Sequence, residues 1–246
     1  MGPLMDIDSV VRSAESAEPT DEACLLISYL ELRRHVGYLG FALPFVLALG
    51  AALVDRSGIH TSISAYYYSG MRNVFVGILC AIGVFLISYK GYTKAHDRWS
   101  TAAGVGSIGV ALFPTTPAFG ATTAQSIVGI VHLCFATMFF VSVAYISIKF
   151  FTQDSAGKPM TPSKARNNRV YIACGWTIAG AIALIALLNV VPKPMTAWSG
   201  WLDPVFWLES VAVVAFGVSW MTKGGVLSAV VRAILGTGRA GPALRT

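Results

Sequence analysis

Six stretches of this chain hold one carboxylate and no Lys or Arg between them, and each is close to the length a bilayer requires. They are Val36 to Val54, Asn73 to Tyr89, Trp99 to Phe113, Gln125 to Ile148, Val170 to Val191 and Pro204 to Thr222. A helix needs roughly 20 mainly apolar residues to cross the hydrocarbon core, where it must satisfy its own backbone polar groups. The composition agrees, since 55% hydrophobic and 12% charged residues leave too little polar surface to face water. The expected fold is all-α, an integral membrane bundle of six transmembrane helices with short interfacial helices at both ends.

The third stretch tests that count, because it is short, carries Gly104, Gly106 and Gly109, and ends at Pro114 and Pro117. A re-entrant segment would look similar. Charge decides between the two, because cytoplasmic loops collect Lys and Arg. Six crossings put 15 of the 18 basic residues on one side, among them Arg33, Arg34, Lys90, Lys94, Arg98, Lys149 and Lys223. A re-entrant third stretch would leave only 7 there, against 11 on the other side. Six crossings with both termini cytoplasmic is therefore the expected topology.

Around this core, residues 1–19 read as a polar, acidic, disordered tail. They contain no apolar run, so targeting is expected to fall to the first membrane helix. Residues 20–34 place Leu25, Leu26, Tyr29, Leu30 and Leu32 at helical spacing after Asp21 and Glu22, the pattern of an amphipathic interfacial helix. Residues 35–223 form the six-helix domain, in which Thr152 to Asn168 is expected to be a solvated linker. Residues 224–246 are read as a second interfacial helix, Val226 to Leu235, with a basic tail. The net charge of +6 comes from dispersed cations without interleaved stacking aromatics, which excludes a nucleic-acid surface. Cys24, Cys80, Cys134 and Cys174 lie too far apart for a CxxC metal pattern.

Two ionisable side chains lie deep in the spans, His132 in the fourth and Glu209 in the sixth. Counted at 1.5 Å per residue, they sit about 10 Å and about 7 Å below the outer ends of their helices, in one layer. A carboxylate there must be paired or wetted. Available partners are Arg72, Tyr67, Tyr68 and the serines Ser62 and Ser64, which form a polar mouth before the second span. The pair admits three readings: a structural hydrogen-bonded unit bridged directly or through Tyr67, Tyr68 or Arg72, a ligand or ion pocket facing outward, or a catalytic site. No HExxH or HxxxH pair fixes two metal ligands on one helix, and no nucleophile elbow or phosphate loop is present. No metal or other cofactor is expected. The ridges Ala103, Ser107, Ala111 and Gly175, Ala179, Ala183 are small-residue faces suited to close helix packing, within the chain or in a homo-oligomer.

At Ile63-Ser64, Tyr66 to Tyr68, Val110 to Pro114 and His132, the chain resembles a bacterial family of multi-pass membrane proteins described only as a domain of unknown function. In that family an Ile-Ser motif precedes the second span, a run ending in Phe-Pro closes the third, and a His follows in the next. The chain is also distantly similar to the six-helix FRAG/DRAM/SFK membrane proteins, associated with lipid-anchor remodelling and autophagy. The resemblance implies a six-helix fold and no particular activity. A second similarity, to the intramembrane metal hydrolases that include alkaline ceramidases, rests on Ser62 or Ser64 and His132. The chain lacks the paired histidines of that group. The reading carried forward is a non-catalytic membrane protein that binds or organises lipid or a small apolar ligand at the outward-facing pocket. The alternative is a metal-dependent lipid hydrolase using His132 and Glu209.

Overall fold

The structure, a computed structural model, describes residues 21–91, 93–153, 161–190, 203–227 and 229. Among them, six long helices run α1 Asp21–Val54, α2 Arg72–Ser88, α3 Lys94–Leu112, α4 Thr123–Tyr145, α5 Pro162–Val190 and α6 Pro204–Lys223. A 3-10 turn, Ser64–Tyr68, precedes α2, and a π-helical turn, Ile146–Phe150, prolongs α4. By length and composition four helical segments can cross a membrane: Tyr29–Val54, Thr123–Phe150, Pro162–Asn189 and Pro204–Lys223. The apolar helix α2 is shorter, and α3 begins with Lys94, Asp97 and Arg98 before turning apolar.

Each helix packs on its neighbours in the chain and α6 closes against α1, so the six form a ring. Phe75, Leu79, Ile82, Phe139 and Phe216 are buried in its core. Glycines allow the closest seams. A methyl group added to Gly217 of α6 would lie 2.6 Å from the Phe41 nitrogen and 2.7 Å from the Gly37 oxygen of α1. Between α2 and α3, a methyl on Gly104 would lie 2.5 Å from the Gly83 oxygen. Backbones this close bring dispersion and short polar contacts together, which is how helices associate where lipid is as apolar as the side chains. Serines add hydrogen bonds across the seams: Ser100 Oγ donates to Leu86 O and Ser107 Oγ to Leu79 O, each at 2.7 Å, and Ser147 pairs with Ser219 at 2.8 Å. The Ala103, Ser107, Ala111 ridge is thus fully buried within the chain.

Two expected boundaries differ in the structure. Asp21–Val54 is one continuous helix, with no break after Arg34 where an interfacial helix was expected to hand over to the first span. Leu30, Arg33 and Val36 are all buried, so packing against the bundle continues across that boundary. The stretch read as a linker, Thr152 to Asn168, is helical from Pro162 onward. The third stretch forms an uninterrupted helix joining the two ends of the bundle, from His96 against Phe150 to Phe113 beside His132. After the Gly224–Gly225 turn, Val226 and Leu227 are again helical. The rest of that expected C-terminal helix, and the N-terminal tail, lie outside the described residues.

Candidate functional site

At one end of the ring three chain segments meet below the start of α2. Ser62 Oγ accepts from the Ala65 N–H at 2.9 Å and starts the 3-10 turn, which leaves the Ile63 and Ser64 N–H groups without turn partners of their own. Glu209 supplies the missing acceptor: its Oε2 receives the Ile63 N–H at 2.6 Å, and the Ser64 N–H is directed at the same carboxyl group. Glu209 is in place because Asp203 caps α6, accepting from the Val205 N–H at 2.9 Å, with Pro204 as the first helical residue. Partial burial pushes the Asp203 carboxyl upward from its ordinary value, and the Val205 N–H opposes that shift.

His132 performs the complementary task. Phe113 follows the last turn of α3, and Pro114 beyond it cannot continue the helix, so the Phe113 carbonyl needs an outside donor. His132 Nδ1 donates to it at 2.6 Å. That assigns the proton of a neutral imidazole to Nδ1 and makes Nε2 an acceptor for the Ser64 hydroxyl, 3.0 Å away. His132 and Glu209 share no hydrogen bond, and the Ile63–Ser64 pair links them, the Ser64 hydroxyl at His132 and the Ile63 N–H at Glu209.

The expected bridges lie elsewhere. The Arg72 guanidinium donates to the Tyr67 hydroxyl and covers the Tyr67 ring at 4.1 Å. Tyr68 donates to Thr115 O at 2.7 Å and is exposed. Tyr66 turns inward, fully buried against His60 and Phe206. Ser64, Ser107 and Glu209, with mainly apolar neighbours, line a cavity of about 40 Å³, room for a water molecule or two.

The opposite end holds a second cluster that the sequence reading did not assemble. Arg33 is only 4% exposed; its guanidinium lies 4.3 Å from the Tyr29 ring centre and 5.2 Å from that of Tyr89, and donates to the Tyr89 hydroxyl at 2.9 Å. The π-helical turn brings Phe150 flat against His96, with ring centres 4.5 Å apart, and Lys223 Nζ donates to Phe151 O at 3.2 Å. Burial, reinforced by the Lys223 and Arg33 charges and opposed by Asp97, lowers the His96 imidazole to about 4. The one available signal was the four-residue step from Tyr29 to Arg33, which stacks the two side chains on one helix face. Arg34 Nε donates to Gly224 O at 2.7 Å, so this part of α1 and the end of α6 lie at the same end.

A third feature lies on the perimeter. Trp99, Ala102, Ile130, Leu133, Thr137 and Val141 are among the residues lining an open, mainly apolar groove of about 580 Å³ along the α3–α4 seam. Among the described residues, no three His, Cys, Asp or Glu side chains converge as metal ligands. Both His132 nitrogens are occupied, and Glu209 holds the turn. Comparison with family models, curated proteins and solved structures finds no match.

Proposed function

We propose that this chain is a six-span, non-catalytic protein of a bacterial inner membrane, with both termini cytoplasmic, that binds or organises lipid or a small apolar ligand. Its immediate partner in this reading is membrane lipid. The observation that carries the binding role is the α3–α4 groove, whose volume and apolar lining suit a hydrocarbon chain. The outer polar layer supports the non-catalytic half. The Ser64 hydroxyl there meets His132 and the Ile63 N–H meets Glu209, Ser64 and Glu209 line a space of water size, and Tyr67, Tyr68, Arg72 and Ser62 line neither that space nor the groove. In the Gly175, Ala179, Ala183 ridge on α5, Gly175 is buried against Ile148 and Ala183 is exposed, so a homo-oligomer would meet this ridge at its Ala183 end.

Two measurements test the reading. Reporter fusions at Lys158 and at the C-terminus should both read cytoplasmic, and one at Thr116 should read external; opposite signals from the first two would sink the six-span topology. Delipidated protein in detergent should gain thermal stability when phosphatidylcholine is added, because a ligand of the folded state stabilises it by mass action. An unchanged unfolding temperature across a saturating titration would remove the lipid role. The metal-hydrolase alternative would need stoichiometric zinc that is lost on His132→Ala.

A further inference from the structure

The α3–α4 groove has a chemically distinct end. On α3, Lys94, Arg98 and Ala102 follow one another at four-residue steps, so they stand on one face, and Ala102 lines the groove while Lys94 and Arg98 are exposed below it. On α4, Val141 lines the groove, Tyr145 follows four residues later, and exposed Lys149 comes four beyond that in the π-helical turn. Trp99, which lines the groove at this end, packs on Tyr145 across the seam with tilted rings whose centres are 4.5 Å apart. Beyond that aromatic pair come the exposed cations Lys94, Arg98 and Lys149. Beside Arg98 in the chain, Asp97 accepts the Gly91 N–H at 2.7 Å and is partly buried.

The length of the groove narrows the occupant. From Ile130 to Ser142 is twelve residues, about 18 Å of helix, close to half the roughly 30 Å hydrocarbon core. That matches one acyl chain entering from one leaflet. An aromatic pair at the glycerol level and lysine and arginine beyond it are the groups that meet a phosphate and a net negative head.

We infer that the groove holds one anionic phospholipid of the cytoplasmic leaflet, with an acyl chain against Ala102, Leu133, Thr137 and Val141 and its phosphate at Arg98 and Lys149. This rests on the lipid-binding reading above and adds the headgroup and the leaflet. Each cation near the surface favours an anionic lipid by about five-fold, so the preference should be read mainly in those two side chains.

Native mass spectrometry of the full chain in detergent, with dioleoyl phosphatidylglycerol or dioleoyl phosphatidylcholine added, tests it. The wild type should retain one phosphatidylglycerol with an affinity at least about five-fold above that for phosphatidylcholine. The double variant Arg98→Gln, Lys149→Gln should bind both lipids equally, and Thr137→Trp, which fills the groove from an exposed position, should lose both. Arg72→Gln, at the opposite end, should behave as wild type, and circular dichroism checks that each variant is folded. Equal wild-type affinity for the two lipids, or a preference that survives the double variant, overturns the headgroup assignment while Thr137-dependent binding leaves the lipid-binding reading standing. Retention of neither lipid overturns both, and retention undiminished by Thr137→Trp places the lipid outside this groove.

Discussion

The Ser64 hydroxyl lies 3.0 Å from His132 Nε2, joining residues 68 positions apart in the chain. Together with the Ile63 N–H on Glu209, it ties the entrance of α2 to α4 and α6 through one residue pair. In water such bonds would be exchanged with solvent at little net gain. In a low-dielectric layer an orphaned partner has no water to turn to.

The first prediction concerns that bond. Ser64→Ala leaves the His132 Nε2 acceptor unpaired, and His132→Leu leaves both the Ser64 hydroxyl and the Phe113 carbonyl without their partner. Each should lower stability in detergent by about 1–3 kcal/mol, and the double variant should lose at least about 0.5 kcal/mol less than the sum. Strictly additive unfolding free energies would show that the two side chains do not meet.

Glu209 should act through its acceptor oxygens. Glu209→Gln keeps a carbonyl oxygen for the Ile63 N–H and should be tolerated, whereas Glu209→Leu strands the turn's N–H groups and should cost about 1–3 kcal/mol. Thermal unfolding of the two variants side by side decides it. If Gln were as damaging as Leu, the negative charge itself, and not hydrogen bonding, would be the requirement.

The α1–α6 seam offers a contrast between two glycines. Gly217→Ala would press a methyl group into the Phe41 and Gly37 backbones, which cannot move aside as a side chain can, for a loss of about 1–3 kcal/mol. Gly77→Ala meets nothing within 4 Å and should be neutral or stabilising by up to about 1 kcal/mol. A Gly217→Ala protein as stable as wild type would mean the seam is looser than described.

Acid should weaken the inner cluster through His96. Its imidazole is lowered from 6.5 to about 4 by burial and by Lys223 on α6 and Arg33 on α1, with Asp97 on its own helix opposing. Between those values the unfolded chain binds more protons than the folded one, so this contribution is full above pH 6.5 and drains as pH falls toward 4. The slope is at most about 1.4 kcal/mol per pH unit. Chemical denaturation at stepped pH should show the decline in wild type and a shallower one in His96→Phe, which keeps the stack on Phe150. Identical slopes would assign the acid sensitivity to other groups.

Much of this organisation can be read from the residues alone. Long uncharged runs demand helices because lipid offers the backbone no partners, and they placed the C-terminal ends of all six within a few residues, while α1 and α5 begin well before Val36 and Val170. The same uniformity hides the rest. Where nearly every residue is apolar, no polar stripe marks which face of a helix turns inward, so rotation and pairing are left to packing. The sequence marked His132 and Glu209 by their cost in lipid, and even their common layer followed from counting residues. Only the tertiary structure showed that the Ile63–Ser64 pair stands between them and that Tyr67 and Arg72 pair with each other. The same holds for Arg33, which reads as an interfacial cation beside Arg34. Its burial depends on Tyr89, 56 residues away, arriving at the same point, and three-dimensional packing decides that.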